Sequence, residues 1–306
     1  MYGWSGNTYF YRIDIIMMKI YNRDGKELEF DQGQNRLLKK LYGNLLGRCI
    51  LKVLTLPFIT HIGGWYMNSS FSKGRILPFI KKNHICMDDY EDKQYKSYND
   101  FFTRRIKEGK RCIDLDINHL ISPADSKLSY YSINENTQLM IKDTIYSIKE
   151  LLNDEELALQ YQGGDCLVFR LTVDDYHRYC FIDSGTKEKD CYIQGIFHTV
   201  NPIANDYYPI YKQNSRSYSL LHTEHFGDVI YMEVGAMMVG KICNHSMSSY
   251  QKGDEKGYFE FGGSTIVVLL KKDQVIIDQD IIENSKKYCE TKVLMGEKIG
   301  VKKHSL

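Results

Sequence analysis

A run of aromatic and β-branched residues, GYFEFGGSTIVVLL at 257–270, limits the folds open to this chain. Such residues favour β-strands. Gly262 and Gly263 interrupt the run, and glycine weakens a strand interior because it loses more backbone entropy on folding and packs no side chain. The pattern reads as one strand that breaks immediately before Ser264.

Strand-like runs dominate the chain from about residue 118 onward. They are short, separated by Gly, Asn and Asp, and read LSYYSI, CLVFRLTV, CYIQGIFHTV, DVIYMEVGAMMVGKI and STIVVLL. The segment SIKELLNDEELALQY is the exception, because Ser147 followed by Glu150 is a capping box that predicts one helix. We therefore expect a mostly antiparallel β domain over residues 101–306.

The N-terminal part has a different character. Residues 1–17 are a possible upstream extension, and KIYNRDGKELEF predicts a hairpin. Apolar residues then recur at helical spacing: Leu37, Leu38, Leu41, Leu45, Leu46 and Ile50. Basic residues lie between them: Lys39, Lys40 and Arg48. This pattern is typical either of helices packed on a core or of a region lying in a membrane interface. The predicted class is α+β, with a largely helical region at 18–100.

Composition excludes several classes of protein. The 306 residues carry a formal net charge of +1, which argues against a dedicated nucleic-acid binder. The eight cysteines form no C-x-x-C pair, so neither a zinc site nor a thioredoxin-like site is indicated. No window reaches about 18 uninterrupted apolar residues, so we expect no transmembrane helix. Without a signal peptide, a cytoplasmic location is expected by default.

The GGST sequence can also be a chemical site. The hydroxyl of Ser264 lies beside the carbonyl of Gly263, and attack on that carbonyl would give an ester. Elimination and hydrolysis would then leave a pyruvoyl group at a new N-terminus. The alternative is a β-bulge or a close crossing of strands. Upstream, Asp125 stands in SPADSKL and His177 in DYHRY.

The combination resembles the phosphatidylserine decarboxylases, self-cleaving enzymes that depend on a pyruvoyl group. The resemblance extends from about Met18 to the end. It includes NDFFTRRIKEGKRCID, SPADSKL, DYHRY, VNPIA, VGAMMVGKI, YFEFGGSTIVVLL and ETKVLMGEKIG. It implies decarboxylation of phosphatidylserine to phosphatidylethanolamine through a Schiff base on the pyruvoyl group. It also implies peripheral contact with the cytoplasmic face of the membrane, and a homodimer.

Particular residues match the family's functional positions. Ser264 matches the serine that becomes the pyruvoyl cofactor, with cleavage after Gly263. The products would be a large chain, residues 1–263, and a small chain, residues 264–306, that stay associated. Asp125 matches the aspartate of self-cleavage. His177 matches a histidine that lies beside the substrate carboxylate. No metal is implied.

Cys180 departs from the family pattern, in which a second histidine usually stands at this position. Ser126 likewise stands where glycine is usual. A thiol acts as a base only when its thiolate is stabilised. Three outcomes stay open: Cys180 substitutes, His177 serves both steps, or maturation is slow or absent. The alternatives for function are a pyruvoyl-dependent decarboxylase of a soluble amino acid and an uncleaved, non-catalytic membrane-binding homologue.

Overall fold

The computed structural model describes residues 19–28, 57–141, 144–195, 214–235, 241–262 and 264–303. Six α-helices lie in these ranges: α1 Pro57–Asn68, α2 Ile76–Lys82, α3 Tyr98–Phe102, α4 Ile148–Leu152, α5 Glu155–Leu159 and α6 Gln279–Lys286. There are also two 3₁₀ segments: Ser70–Arg75 lies between α1 and α2, and Met87–Asp89 follows α2.

Nineteen strands lie in the same ranges. The first ten are β1 Ile20–Tyr21, β2 Glu27–Leu28, β3 His119–Ile121, β4 Ser126–Ser132, β5 Gln138–Ile141, β6 Thr144–Ser147, β7 Asp165–Leu171, β8 Arg178–Cys180, β9 Gly185–Lys187 and β10 Cys191–Ile193. The others are β11 Arg216–Thr223, β12 Gly227–Gly235, β13 Ile242–Asn244, β14 Ser249–Tyr250, β15 Glu255–Phe259, β16 Ser264–Leu270, β17 Val275–Ile277, β18 Glu290–Val293 and β19 Lys298–Lys302.

One large sheet organises the described part of the chain. Its strand order is β14-β9-β11-β12-β16-β7-β4-β18-β1-β2, with β10 paired to β11 off this path. Each neighbouring pair is antiparallel except β1 and β18, which run parallel. Three smaller sheets accompany it: β13-β15-β8, β17-β19-β3 and β5-β6. The predicted α+β class with mostly antiparallel strands is confirmed.

The apolar run of β16 is explained by burial on both faces of the central sheet. Ile266, Val268 and Leu270 lie in one hydrophobic cluster, whereas Val267 and Leu269 lie in another. Successive side chains of a strand point to opposite faces. A strand covered on both sides therefore needs a continuous apolar sequence instead of an alternating one.

The predicted break before Ser264 is confirmed, but the run 257–270 is not a single strand. It contributes to β15 and to β16, which belong to different sheets. Gly262 has a φ of +148°, a conformation that favours glycine because L side chains rarely adopt it. The chain therefore leaves the small sheet and enters the large one directly before Ser264.

The helical and hairpin character of the N-terminal part is confirmed where the structure describes it. Strands β1 and β2 pair as an antiparallel hairpin, and α1, the first 3₁₀ segment and α2 follow one another over 57–82. The amphipathic stretch of Leu37 to Ile50 lies outside the described residues. Met67 of α1 packs with Tyr98, Phe101 and Phe102 of α3 in a separate buried cluster.

The single helix predicted from Ser147 is wrong. The structure has two short helices, α4 and α5, separated by Asn153 with a φ of +54°. The Ser147 side chain makes no capping hydrogen bond, whereas the Asp154 carboxylate accepts the Leu157 N–H at 2.9 Å. Asn and Asp side chains bond nearby backbone groups in turns and at helix starts, so this pair ends one helix and begins the next.

Candidate active site

Ser264 is the first residue of β16 and is fully buried. It lies opposite Gly235 of β12 on one side and opposite Leu171 of β7 on the other. The carbonyl of Gly235 accepts a hydrogen bond from Asn214 Nδ2 at 2.8 Å. Within the described residues the Ser264 hydroxyl has no hydrogen-bond partner. A buried polar atom without a partner is costly, and in a native protein it calls for an explanation.

Strand register places Asp125 at the same end of the sheet. Arg170 of β7 lies opposite Lys127 of β4 and opposite Thr265 of β16. The two strands that flank β7, β4 and β16, therefore begin at the same end of the sheet. They are separated by two strand spacings, about 10 Å. Asp125 immediately precedes β4, as Ser264 opens β16.

The Asp125 carboxylate is held by a cation and by the backbone. Arg111 donates from Nε to Oδ1 at 3.0 Å and from Nη2 to Oδ2. The N–H of Met295 donates to the same Oδ1 at 2.9 Å. Both carboxylate oxygens are thus engaged, in a bidentate geometry characteristic of strong arginine pairs. This arrangement fixes the segment that leads into β4.

His177 is fully buried, and its tautomer follows from its surroundings. Its Nδ1 lies 3.0 Å from the carbonyl oxygen of Asp175. A carbonyl only accepts, so Nδ1 carries the proton and Nε2 keeps its lone pair. Nε2 has no hydrogen-bond partner among the described residues. Burial lowers the pKa of His177 to about 3, so the ring is neutral at pH 7.

Asp175 builds the turn that presents His177. Its buried carboxylate accepts the Thr172 N–H at 2.7 Å and two contacts from Lys127 Nζ at 2.7 and 2.6 Å. The carboxylate therefore fixes the turn after β7, while the carbonyl of the same residue orients the imidazole. A buried ion pair such as Lys127–Asp175 adds little net stability, and its main effect here is to fix the geometry of the turn.

Helix α3 joins His177 to the segment that precedes Ser264. The Phe102 ring lies 4.1 Å from the His177 ring and 5.2 Å from the Phe261 ring, measured between centroids. Asn99 Oδ1 accepts the backbone N–H of Phe261 at 2.8 Å. The same short helix thus contacts the histidine and the chain three residues before the serine.

Cys180 lies in the same region but in an apolar setting. Its N–H donates to the carbonyl of Pro123 at 2.9 Å, so β8 is joined to the segment of Asp125. Its Sγ lies 4.0 Å from the carbonyl oxygen of Ser122. Burial raises the pKa of the thiol to about 12. The neutral thiol is therefore the form present near pH 7, which disfavours action as a base.

The chain is similar to known proteins over most of its length. The family model for phosphatidylserine decarboxylase matches residues 98–301. A phosphatidylserine decarboxylase proenzyme 2 of Clostridium acetobutylicum is 52% identical over 287 residues, 93% of this chain and 99% of that relative. Proenzymes of Clostridium novyi and Clostridium botulinum are 43% and 41% identical over 295 residues, 94% of this chain and 100% of each relative. The chain belongs to the phosphatidylserine decarboxylase family of enzymes.

The family match begins at residue 98, the first residue of α3. The matched part of this decarboxylase therefore includes Asn99, Phe102 and Arg104, which sequence reasoning left without roles. They lie in NDFFTRR, which contributed to the resemblance, but a single sequence carries no local signal that they reach the site. The sequence also gives no indication that Arg111 belongs to the site, because only the fold brings it next to Asp125.

The described part of this decarboxylase contains neither a candidate membrane span nor a candidate metal centre. No helix in that part of the chain has the length and apolarity needed to cross a bilayer. No group of three or more His, Cys, Asp and Glu side chains in the same part has a metal-binding arrangement.

Proposed function

We propose that this chain decarboxylates phosphatidylserine to phosphatidylethanolamine, using a pyruvoyl group that it makes from Ser264. The supporting observation is the buried hydroxyl of Ser264 at the start of a central strand, which has no partner among the described residues, in a chain of this enzyme family. A simple β-bulge gives no reason to bury a hydroxyl without a partner. A nucleophile that must attack its own preceding carbonyl gives such a reason.

The maturation step uses atoms of the chain and one water molecule. Ser264 Oγ attacks the carbonyl carbon of Gly263, and the peptide C–N bond breaks to give an ester with a free amine. Loss of a proton from Cα and of the Gly263 carboxylate from Cβ leaves dehydroalanine. Its imine tautomer takes up water and releases ammonia, so residue 264 ends as a pyruvoyl group.

His177 is our candidate for the base in this step. Its neutral ring has an available lone pair on Nε2, since Nδ1–H is directed to the Asp175 carbonyl. Phe102 places it beside the segment that leads to Ser264. Cys180, with its raised pKa, is a poorer base. Of the three outcomes left open by the sequence, the geometry favours His177 acting in both steps.

Turnover then requires a proton donor at the substrate Cα. The pyruvoyl ketone supplies an electron sink for loss of carbon dioxide once the substrate amine has condensed with it. His177 Nε2 is the proposed group that delivers the proton to Cα. Burial depresses the pKa of His177, so Nε2 is unprotonated at rest and must first take from solvent the one proton that the reaction consumes. Once it is protonated, the same low pKa makes it give that proton up readily to Cα. Asp125 keeps the edge of the site in place through Arg111.

An exposed apolar surface supports a lipid substrate over a soluble one. Phe58, Ile62 and Trp65 lie on α1 at spacings of four and three, which places them on one face. Together with Phe71 and Leu77 they are exposed. Exposed basic residues belong to the same segment: Lys73, Arg75 and Lys81. Exposed aromatic side chains next to basic ones fit an anionic membrane interface.

We propose peripheral binding to the cytoplasmic face of the membrane through the region 18–100, with residues 101–306 as the catalytic part.

The fold supports continued association of the two products. Residues 264–306 contribute β16, which lies between β12 and β7 in the middle of the central sheet. They also contribute β18, which pairs with β4 and β1. Cleavage of one peptide bond leaves these ladders in place, so we propose that the large and small chains stay together. A homodimer of the processed pair is part of the same proposal.

The test is turnover of phosphatidylserine in mixed vesicles by the purified protein, with product phosphatidylethanolamine and carbon dioxide both measured. We expect turnover from the native chain and none from Ser264→Ala. Turnover of free serine or another soluble amino acid without vesicles would support the soluble-substrate alternative. An uncleaved chain that binds vesicles without turnover would support the membrane-binding homologue.

A further inference from the structure

Arg104 follows α3 closely and is only 2% exposed. Its Nε and Nη1 atoms have no hydrogen-bond partner among the described residues. Nη2 donates to the hydroxyl of Tyr90 at 3.3 Å, a long contact. An arginine guanidinium carries a positive charge and five N–H donors. Within the described part of the chain Arg104 is therefore a buried cation with most of its N–H donors unused.

Aromatic rings cover this guanidinium without neutralising it. Its central carbon lies 4.3 Å from the centroid of Tyr90 and 4.9 Å from that of Phe101. Cation–π contacts of this kind are favourable but leave the N–H donors unsatisfied. Arg104 forms no ion pair within the described part of the chain. A buried charge is expensive unless an anion with hydrogen-bond acceptors accompanies it.

A second buried donor, the hydroxyl of Tyr95, lies just before α3 in the chain. The Tyr95 ring packs edge-on against Phe101 with centroids 5.4 Å apart, and its hydroxyl is also buried without a partner among the described residues. The next residue of α3, Phe102, contacts His177, whose Nε2 likewise has no partner among the described residues. Polar atoms without a partner among the described residues thus cluster around Phe101 and Phe102, next to the proposed reaction site.

We propose that Arg104 binds the phosphodiester of the substrate headgroup. This inference rests on the proposed function. In phosphatidylserine the phosphodiester is linked to the reacting Cα through one methylene and one oxygen, so its site must lie close to residue 264. A guanidinium matches phosphate oxygens in charge and in hydrogen-bond geometry.

The carboxylate of the substrate is a poorer partner for Arg104. Its negative charge leaves that position as carbon dioxide forms, so a guanidinium there would stabilise the ground state more than the transition state. The phosphodiester keeps its charge throughout. Contact with it holds the headgroup without opposing the reaction.

Self-cleavage provides a route to this site. In the uncleaved chain Phe261 covers α3, with its ring 5.0 Å from Tyr98 and 5.2 Å from Phe102. After cleavage between Gly263 and Ser264, Phe261 lies near the new C-terminus of the large chain and is no longer covalently connected to β16. Its displacement would expose the helix and the guanidinium that follows it to the headgroup.

The test compares two substrates across three variants. One substrate is short-chain phosphatidylserine, and the other is an O-alkyl serine of matched length, in which an ether replaces the phosphodiester. The variants are Arg104→Gln, Arg104→Lys and, as the matched control, Arg105→Gln, whose side chain is exposed. Intact mass first establishes that each variant has cleaved itself, which reads folding independently of substrate binding.

We expect Arg104→Gln to cleave normally and to lose about tenfold to a hundredfold in kcat/KM for phosphatidylserine, the range for a charged hydrogen bond. Its kcat/KM for the ether should stay near that of the native chain. Arg104→Lys should lose less, and Arg105→Gln should match the native chain. An equal loss for both substrates, or failure of both Arg104 variants to cleave, would show a structural role and overturn the inference. Absence of phosphatidylserine turnover by the native chain would instead refute the proposed function itself.

Discussion

The side-chain oxygen of Asn99 accepts the backbone N–H of Phe261 at 2.8 Å, three residues before Ser264. The amide nitrogen of Asn99 donates to Asn68 Oδ1, at the end of α1, at 3.0 Å. One buried side chain thus connects two helices to the segment in which we propose cleavage. Attack on a neighbouring carbonyl depends on alignment of the reacting atoms, so this bond has a direct bearing on maturation.

Replacing Asn99 tests that connection. We expect Asn99→Leu, which has similar size and no acceptor, to slow self-cleavage by at least about tenfold, the typical effect of a lost buried hydrogen bond on alignment. Asn99→Asp keeps an acceptor for the Phe261 N–H and should cleave near the native rate. The measurement is the fraction of cleaved chain against time on denaturing gels. Asn68→Leu, which leaves the Phe261 contact intact, is the control, and equal rates for all variants would contradict the role.

The identity of the base can be decided by a pair of substitutions. His177→Gln should abolish self-cleavage, because it removes the available imidazole lone pair. Cys180→Ser should leave the cleavage rate within about threefold, because the raised pKa of the thiol keeps it neutral. Intact mass after timed incubation measures both. If Cys180→Ser fails to cleave while keeping the native melting temperature, the thiol and not His177 is the base.

Burial of neutral His177 predicts how stability depends on pH. Its folded pKa of about 3 lies below its ordinary value of 6.5. Below pH 6.5 the imidazole therefore binds a proton in the unfolded chain but not in the folded chain. The free energy of unfolding consequently falls as the pH drops toward 3. Each pKa unit corresponds to about 1.4 kcal/mol.

The measurement is urea unfolding of the uncleaved Ser264→Ala chain between pH 7.5 and 4.5. We expect Ser264→Ala/His177→Gln to lose less stability than Ser264→Ala over this range. Equal losses in the two chains would mean that the imidazole is already solvated in the folded state.

The exposed aromatic face of α1 predicts vesicle binding. Phe58 and Trp65 are 71% and 70% exposed, so Phe58→Ser/Trp65→Ser should leave the melting temperature unchanged. It should weaken sedimentation with phosphatidylserine-containing vesicles by at least about tenfold, since each ring contributes apolar area at the interface. Leu159→Ser, which removes an exposed apolar side chain elsewhere, is the matched control. Equal binding by both variants would exclude this face.

The sequence was informative where local chemistry decides the structure. The two glycines before Ser264 predicted a strand break, and the run STIVVLL predicted a strand, because both depend on a few adjacent residues. The helix predicted from Ser147 was wrong because Asn153 and Asp154 favour a turn over a helix interior. Local competition of this kind is visible in the sequence but is difficult to weigh without the packing.

The surroundings of the candidate site depend on contacts between distant parts of the chain. Asn99 and Phe261 are separated by 162 positions, and Arg170 bonds Glu290 across 120. No periodicity or motif encodes such pairs. The neutral state of Cys180 likewise follows from burial, which a sequence alone does not give. Resemblance to a family supplied Asp125, His177 and Ser264 as candidates, and the fold supplies the helix that connects two of them.

The central claim is that the chain cuts itself between Gly263 and Ser264, and intact mass of the purified, denatured protein tests it most directly. We predict two species, residues 1–263 and residues 264–306, the smaller one lighter by one ammonia than a chain beginning with serine. Thr265→Val, which removes the adjacent buried hydroxyl, should give the same two species, and Ser264→Ala only one. A native chain that stays as one species with the mass of all 306 residues would contradict the account.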